Sequence, residues 1–341
     1  MKLMKAVILV VALFIILALA TQARSQGQPE MNRVVETAIA HAKELSVNSA
    51  EVDWENLSLA MREAAKGAKS VAELKRTFDI LFAELKDRNA LFYQTSTKTI
   101  IAKAESQSTT ASDAKFYFTM LDNNVCYLRL VAMEPGTSIQ KQVAEVRQAI
   151  DSLAKDDALQ WIVDLRYATG GDNQTLLASV APLLDEGLVV TAVDNHKKIK
   201  NMYTVHNGNL YVDQKAITRF PLWTKDMRKA RIAVLTSQQT SGAAELLAVG
   251  LKGRKHSRIF GEATAGYNYG LIDTEVASNI SMRLSHLRYV DRKGNDYRER
   301  ITPDVEVKAT HSNNLSDDRV VAEAKSWLVG VQDSPIALGM N

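Results

Sequence analysis

From residue 115 onward, short runs of apolar residues alternate with amphipathic stretches, and that alternation leaves few folds open. KFYFTMLDNNVCYLRLVAM holds two apolar runs around Asp122-Asn123-Asn124, a hairpin signal. IQKQVAEVRQAIDSLAKD has the spacing of an amphipathic helix, LQWIVDLR reads as a buried strand, and TLLASVAPLLDEG as a helix ended by Gly187. LVVTAVD and KIKNMYTVHNG form a second hairpin. RIAVLTS is a strand and SGAAELLAVGLKG a helix with Gly253 near its end. SRIFGEA, GLIDTEVA and ISMRLSHLRYVDRKGNDY read as strands, the last turning at Lys293-Gly294, and LSDDRVVAEAKSWLVG closes with a helix. Strands alternating with helices predict an α/β domain over 115–335.

Upstream the period changes. Residues 28–94 read as an N-terminal helical domain. VVETAIAHAKEL has helical apolar spacing, and DWENLSLAMREAAKGA offers Asp53 as a helix N-cap. SVAELKRTFDILFAELKD places Leu74, Phe78, Leu81, Phe82 and Leu85 on one face, with Ser70 and Glu73 spaced as a capping box. Residues 95–114, largely small and polar, are expected to be an exposed linker. About 315 residues beyond the leader are too many for one small core, which agrees with a small domain followed by a larger one.

The leader itself is legible. MKLMK supplies two lysines, and the fifteen residues from Ala6 to Ala20 carry no charge. Thr21 and Ala23 then suit the −3 and −1 subsites of a signal peptidase, so residues 1–23 read as a signal peptide and the protein as periplasmic or secreted. The alternative is an uncleaved membrane anchor, although the apolar run falls short of the ~20 residues needed to span a bilayer. The run is followed by no cysteine of the lipoprotein kind. Losing Lys2 and Lys5 with the leader leaves 40 basic residues against 39 acidic ones, so the net charge of +3 says little about the mature chain. No basic stripe with interleaved aromatics points to nucleic acid. Cys126 is the single cysteine, reads as a small buried hydrophobe and forms no internal disulfide. The six histidines are scattered without metal-ligand spacing, and nothing in the sequence calls for a metal or a cofactor.

Four segments stand in order: VDLRYATGG, TSGAAELL, FGEATAG and ITPDVEV. With the hairpin NNVCYLRL and the helical DW…LKD segment, they resemble the tail-specific, or C-terminal-processing, serine peptidase family, in particular its nisin-resistance-type branch. Each string is weak alone; their order and spacing carry the resemblance. Only about 30 residues separate the helical segment from the hairpin, too few for the PDZ domain that many relatives insert there. The resemblance implies a crotonase-like α/β domain of repeated ββα units with an N-terminal helical bundle. It also implies a serine nucleophile, a His or Lys base, and backbone N–H groups that hold the oxyanion.

Here the residues depart from that pattern. The family motif runs roughly Thr-Ala-Ser-Ser-Ala-Glu, so counting back from Glu245 puts Gly242 at the nucleophile's place. Ser241 lies one residue early, a rotation of about 100° at a helix start, and is expected to cap that helix instead. Asn89, in Asp87-Arg88-Asn89-Ala90, falls where His-type members carry histidine, and an amide cannot take up a proton at neutral pH. Tyr267, in GEATAGYNYG, falls where Lys-type members carry lysine, and a tyrosine is a poor base without help. Gly170 and Gly171 remain as candidates to bind an oxyanion or a peptide. Asp164 and Arg166 are expected to pair and hold a strand end, Pro303-Asp304 to form a strand-entry turn, His256 to sit at a helix end and His286 at the surface.

The reading is an exported peptidase relative whose catalytic positions are substituted: a pseudo-protease that binds a peptide, an unfolded protein C-terminus or an envelope protein. The alternative is an active serine-type peptidase that cleaves peptides near their C-termini with Ser241 as a shifted nucleophile. A structural envelope scaffold is the third option. The leader generates a first expectation: N-terminal sequencing of the exported protein should find a mature end between Thr21 and Gln26, and an intact Met1 in a membrane fraction would overturn it.

Overall fold

The computed structural model describes residues 30–104, 116–133, 138–154, 159–308 and 314–330. The expected signal peptide lies outside the described residues; within them no helix is long and apolar enough to cross a membrane. The chain opens with α1 over 30–45, α2 (Trp54–Ala64) and α3 (Lys75–Glu84), then strands β1 (Leu91–Gln94) and β2 (Ile100–Lys103). The hairpin β3 (Tyr117–Leu121) and β4 (Val125–Arg129) leads to α4 (Ile139–Leu153), β5 (Gln160–Asp164) and α5 (Asn173–Ser179). A meander of β6 (Gly187–Val193), β7 (Ile199–His206), β8 (Asn209–Val212) and β9 (Lys215–Ala216) follows. Then come β10 (Arg231–Thr236), α6 (Ala243–Lys252), β11 (Ser257–Gly261), β12 (Tyr269–Ala277), β13 (Ile280–Asp291), β14 (Val305–Glu306) and α7 (Arg319–Val329). The fold class is α/β, as the alternation implies.

Two compact units result, Met1–Gln107 with Leu271–His286, and Ser108–Gly270 with Leu287–Asn341. In the smaller one Asp53 caps α2 by accepting the Asn56 N–H. Leu74, Phe78, Leu81, Phe82 and Leu85 are all buried on one core, as their spacing predicts, and Phe78 stacks on Phe92 of β1 with ring centroids 3.5 Å apart. The capping box at Ser70 does not form as expected. Glu73 takes the N–H of Lys69 and the hydroxyl of Ser70, and the chain makes a 3₁₀ turn, Val71–Leu74, before α3 begins. The region is also less helical than expected. β1 pairs antiparallel with β2 and with the first half of β13, so strands occupy the end of the 28–94 segment and part of 95–114. Four-residue strands are too short to show a period, and the second partner of β1 lies about 190 residues away, as in Phe92↔Met282. Residues 105–114 lie outside the described residues.

The larger unit holds a six-stranded sheet in the order β14-β11-β10-β5-β4-β3, parallel except for the hairpin β3–β4. Successive strand residues face opposite sides. Cys126, Leu128, Trp161, Val163, Ile232 and Val234 meet residues of α4, α5 and α6 in one core, while Val125, Tyr127, Ile162, Ala233 and Leu235 meet α7 in another. Cys126 is buried and free, and burial pushes its thiol up to about 12. A second sheet runs through β6–β9, with Arg288–Asp291 of β13 against β6.

Asp164 and Arg166 hold a strand end, as the sequence suggests. The Arg166 guanidinium donates to both Asp164 oxygens, at 3.0 and 2.8 Å, and reaches Asp318 at the start of α7. Tyr127 donates its hydroxyl to Asp164 at 2.6 Å. Burial works to raise the Asp164 carboxyl, but the Arg166 charge and the Tyr127 hydroxyl outweigh it and leave it below the usual carboxylate range. A group lowered in this way contributes stability above its unfolded value of about 3.9 and loses it as pH falls through the folded value. Arg166→Leu strands two buried carboxylates and should cost about 3–5 kcal/mol in denaturant unfolding. Wild-type stability should fall below about pH 4, and Asp164→Asn should flatten that acid limb.

Candidate functional site

Two turns foreseen in the sequence meet beyond the carboxyl ends of β5 and β10. The Ser237 hydroxyl donates to the Arg166 carbonyl at 2.7 Å, and that of Thr240 to Leu165 at 2.9 Å. The Ser241 N–H donates to Ala168 at 3.1 Å, and Ser241 bridges Thr169 in parallel. Gly170 and Gly171 follow, both at positive φ. Gly171 is required by close approach: a Cβ there would stand 2.6 Å from the Met133 nitrogen. Asp172 then caps α5 while its own N–H donates to the Met133 carbonyl.

Gly242 is the N-cap of α6, with φ 57 and ψ −117. A sharp strand-to-helix turn of this kind carries the exposed nucleophile in α/β-hydrolases. A Cβ built on Gly242 would meet only the Cα of Gly170, at 3.5 Å, an ordinary contact. Room for a side chain therefore exists beside Gly170, and the sequence puts none there. The helix starts one residue later than expected, so Ser241 is not its cap. Ser241 is drawn into the bridge with Thr169, is only 4% exposed, and its hydroxyl makes no hydrogen bond among the described residues.

The cap comes from Glu245 instead, which the sequence offered only as a register mark. Its wholly buried carboxylate accepts N–H bonds from Gly242 at 3.0 Å, Gly266 at 2.8 Å and Tyr267 at 2.7 Å, and the hydroxyl of Thr264. Burial pushes the carboxyl up, against these four donors, which hold it down. Thr264 in turn accepts the Ile301 N–H at 2.9 Å, and Ala265 donates to the Thr240 carbonyl at 2.9 Å. Asp304 accepts from Ile259 and pairs with Lys252, so Pro303-Asp304 shapes the strand entry as expected. The four motif segments thus converge within the larger unit. A Glu three residues after a helix N-cap was the signal that could have revealed this role.

Tyr267 is half-buried, its N–H on Glu245. Asn89 belongs to the smaller unit, where its amide is a donor. The Ser285 hydroxyl gives its one proton to Asp87 at 2.7 Å, so it accepts from Asn89 Nδ2 at 3.0 Å. Asp87 also accepts the N–H groups of Ser285 and Asn89; burial nevertheless pushes its carboxyl up. His286 is not a free surface residue: it is half-buried and its Nδ1 lies 2.8 Å from the Leu45 carbonyl. His256 is exposed beyond the end of α6.

The model of peptidase family S41 matches residues 124–307. The nisin-resistance protein of Lactococcus lactis subsp. lactis is 23% identical over 295 residues, covering 84% of this chain and 86% of that protein. The chloroplastic carboxyl-terminal-processing peptidase 2 of Arabidopsis thaliana is 26% identical over 181 residues, 52% of this chain and 31% of that one. Among solved structures, a lipoprotein from Streptococcus agalactiae superposes with a TM-score of 0.62 at 17% identity, covering 87% of this chain and 96% of that one. The photosystem II D1 C-terminal processing protease gives 0.56 at 16% identity, covering 82% and 93%. At these identities the two structures speak for the fold alone.

Glu245→Ala leaves three buried or part-buried N–H groups and a buried hydroxyl without their acceptor. It should lower unfolding free energy by on the order of 3 kcal/mol or more, whereas a loss under about 0.5 kcal/mol would show that the turn does not depend on this carboxylate.

Proposed function

The chain belongs to peptidase family S41, and from that premise we propose that it is an exported, non-catalytic member that binds peptides at the turn of Gly170, Gly171 and Gly242. Family S41 supplies the class of partner, a peptide or protein C-terminus; an envelope protein is a further candidate. The single observation that carries the reading is Gly242. It has the backbone of a nucleophile-bearing turn and the space for a side chain beside Gly170, but no side chain. Two further features support it. Asn89 is engaged as a hydrogen-bond donor, the reverse of a base. Ser241 has no basic partner, since its hydroxyl is unbonded among the described residues. Without nucleophile and base, only positioning and oxyanion binding remain, and these act weakly when the reacting pair is gone. Fold carries no chemistry by itself.

The test is direct. Wild-type protein should bind unstructured peptides without cleaving them and should not react with a serine-directed fluorophosphonate. Ser241→Ala removes an unbonded hydroxyl rather than a cap, so its stability should change by less than about 1 kcal/mol and its peptide binding should stay. Turnover by the wild type that Ser241→Ala abolishes, with fluorophosphonate mapped to Ser241, would instead make the protein an active peptidase with a shifted nucleophile.

A further inference from the structure

Asn268 is wholly buried, and both its amide atoms, Oδ1 and Nδ2, lack a hydrogen-bond partner among the described residues. No other side-chain amide among the described residues has both atoms in that state. A buried amide left unpaired is costly, and leucine would fill similar space without the cost. The position is not remote from the candidate site. Asn268 follows Tyr267, whose N–H shares one Glu245 oxygen with the N–H of Gly242, at 2.7 and 3.0 Å. It also sits at the apex of a three-residue turn closed by the Tyr269 N–H on the Tyr267 carbonyl, at 2.9 Å. The loop is therefore anchored on Glu245 up to Tyr267, and Asn268 is the first residue past that anchor. A change confined to this one short turn moves the amide while the anchored part stays.

We propose that Asn268 reads the backbone of a bound peptide, its Oδ1 accepting a peptide N–H and its Nδ2 donating to a peptide carbonyl. The inference rests on the peptide-binding reading above and adds the residue that recognises the ligand. The ligand class follows from the idle groups. A carboxylate or phosphate answers only the donor, and an ammonium only the acceptor. A second planar amide answers both at once, as paired strands do. Binding turns the apex outward and gives the amide the partners that it lacks in the closed loop.

The probe is a fluorescein-labelled decapeptide of Gly, Ala, Val and Leu with a free C-terminal carboxylate, followed by fluorescence anisotropy. A matched set carries a single N-methyl group at each backbone nitrogen in turn. Asn268→Leu should weaken binding about tenfold or more while its melting temperature stays level or rises. At one position N-methylation should cost the wild type about tenfold and cost the Leu variant nothing further. Asn268→Ala serves as the second variant if Leu does not fold. An amide that only holds a resident water would leave binding within about twofold in the variants, and that result overturns the inference alone. A wild type that binds none of the peptides overturns the peptide-binding reading, and the role of Asn268 with it.

Discussion

A carboxylate can stay buried only if donors surround it, and the donors around Glu245 come from separate stretches of chain. The helix start at Gly242, the loop at Gly266 and Tyr267, and through Thr264 the segment at Ile301 all close on this one side chain. None of these segments has regular structure of its own at the point of contact. Their mutual placement depends on the hydrogen bonds, and the bonds depend on the carboxylate being dry. On the other flank Ser237, Thr240 and Ser241 tie the same turn to residues 165–168. The turn is held from both sides, largely by side chains bonded to backbone groups.

That construction explains how the scaffold tolerates a glycine at 242 and an amide at 89. The bonds that shape the Gly242 turn use its N–H and carbonyl, not a side chain. Glycine adopts φ 57 without penalty, where another residue would be strained. In the smaller unit Asn89 likewise fits a network of buried Asp87 and Ser285 that needs a donor at that point. A glycine at 242 and an amide at 89 therefore leave the local structure around them hydrogen-bonded. Among the described residues Asn268 is the one side-chain amide with both polar atoms buried and unpaired, which is the ground for the ligand-facing role proposed for it.

The strand–helix order of the larger unit was legible because its parallel strands are buried on both faces and read as continuous apolar runs. LQWIVDLR and RIAVLTS became the neighbouring strands β5 and β10, and the DNN hairpin formed where its turn residues stand. Helix faces were legible too, as the core positions of α3 attest. What the sequence blurred were the short strands of the smaller unit and the ends of elements. β1 and β2 carry four residues each, and β1 is specified by a partner distant in sequence, β13. The start of α6 moved by one residue because Glu245 caps it from inside the helix, at N3.

For the site, the sequence by itself determined the residue types: a glycine at 242, an amide at 89, a tyrosine at 267 and a glycine pair at 170–171. It fixed these because chemistry that a side chain lacks cannot be supplied by folding. Tertiary structure decided which groups meet. It put an empty side-chain position 3.5 Å from Gly170, took Ser241 into a bridge with Thr169, and turned Glu245 from a register mark into the common acceptor of the site. It also left the amide of Asn268 unpaired. Those outcomes depend on which donors and acceptors are brought within 3 Å of one another across dozens of residues, and no local pattern of apolar and polar residues encodes such distances.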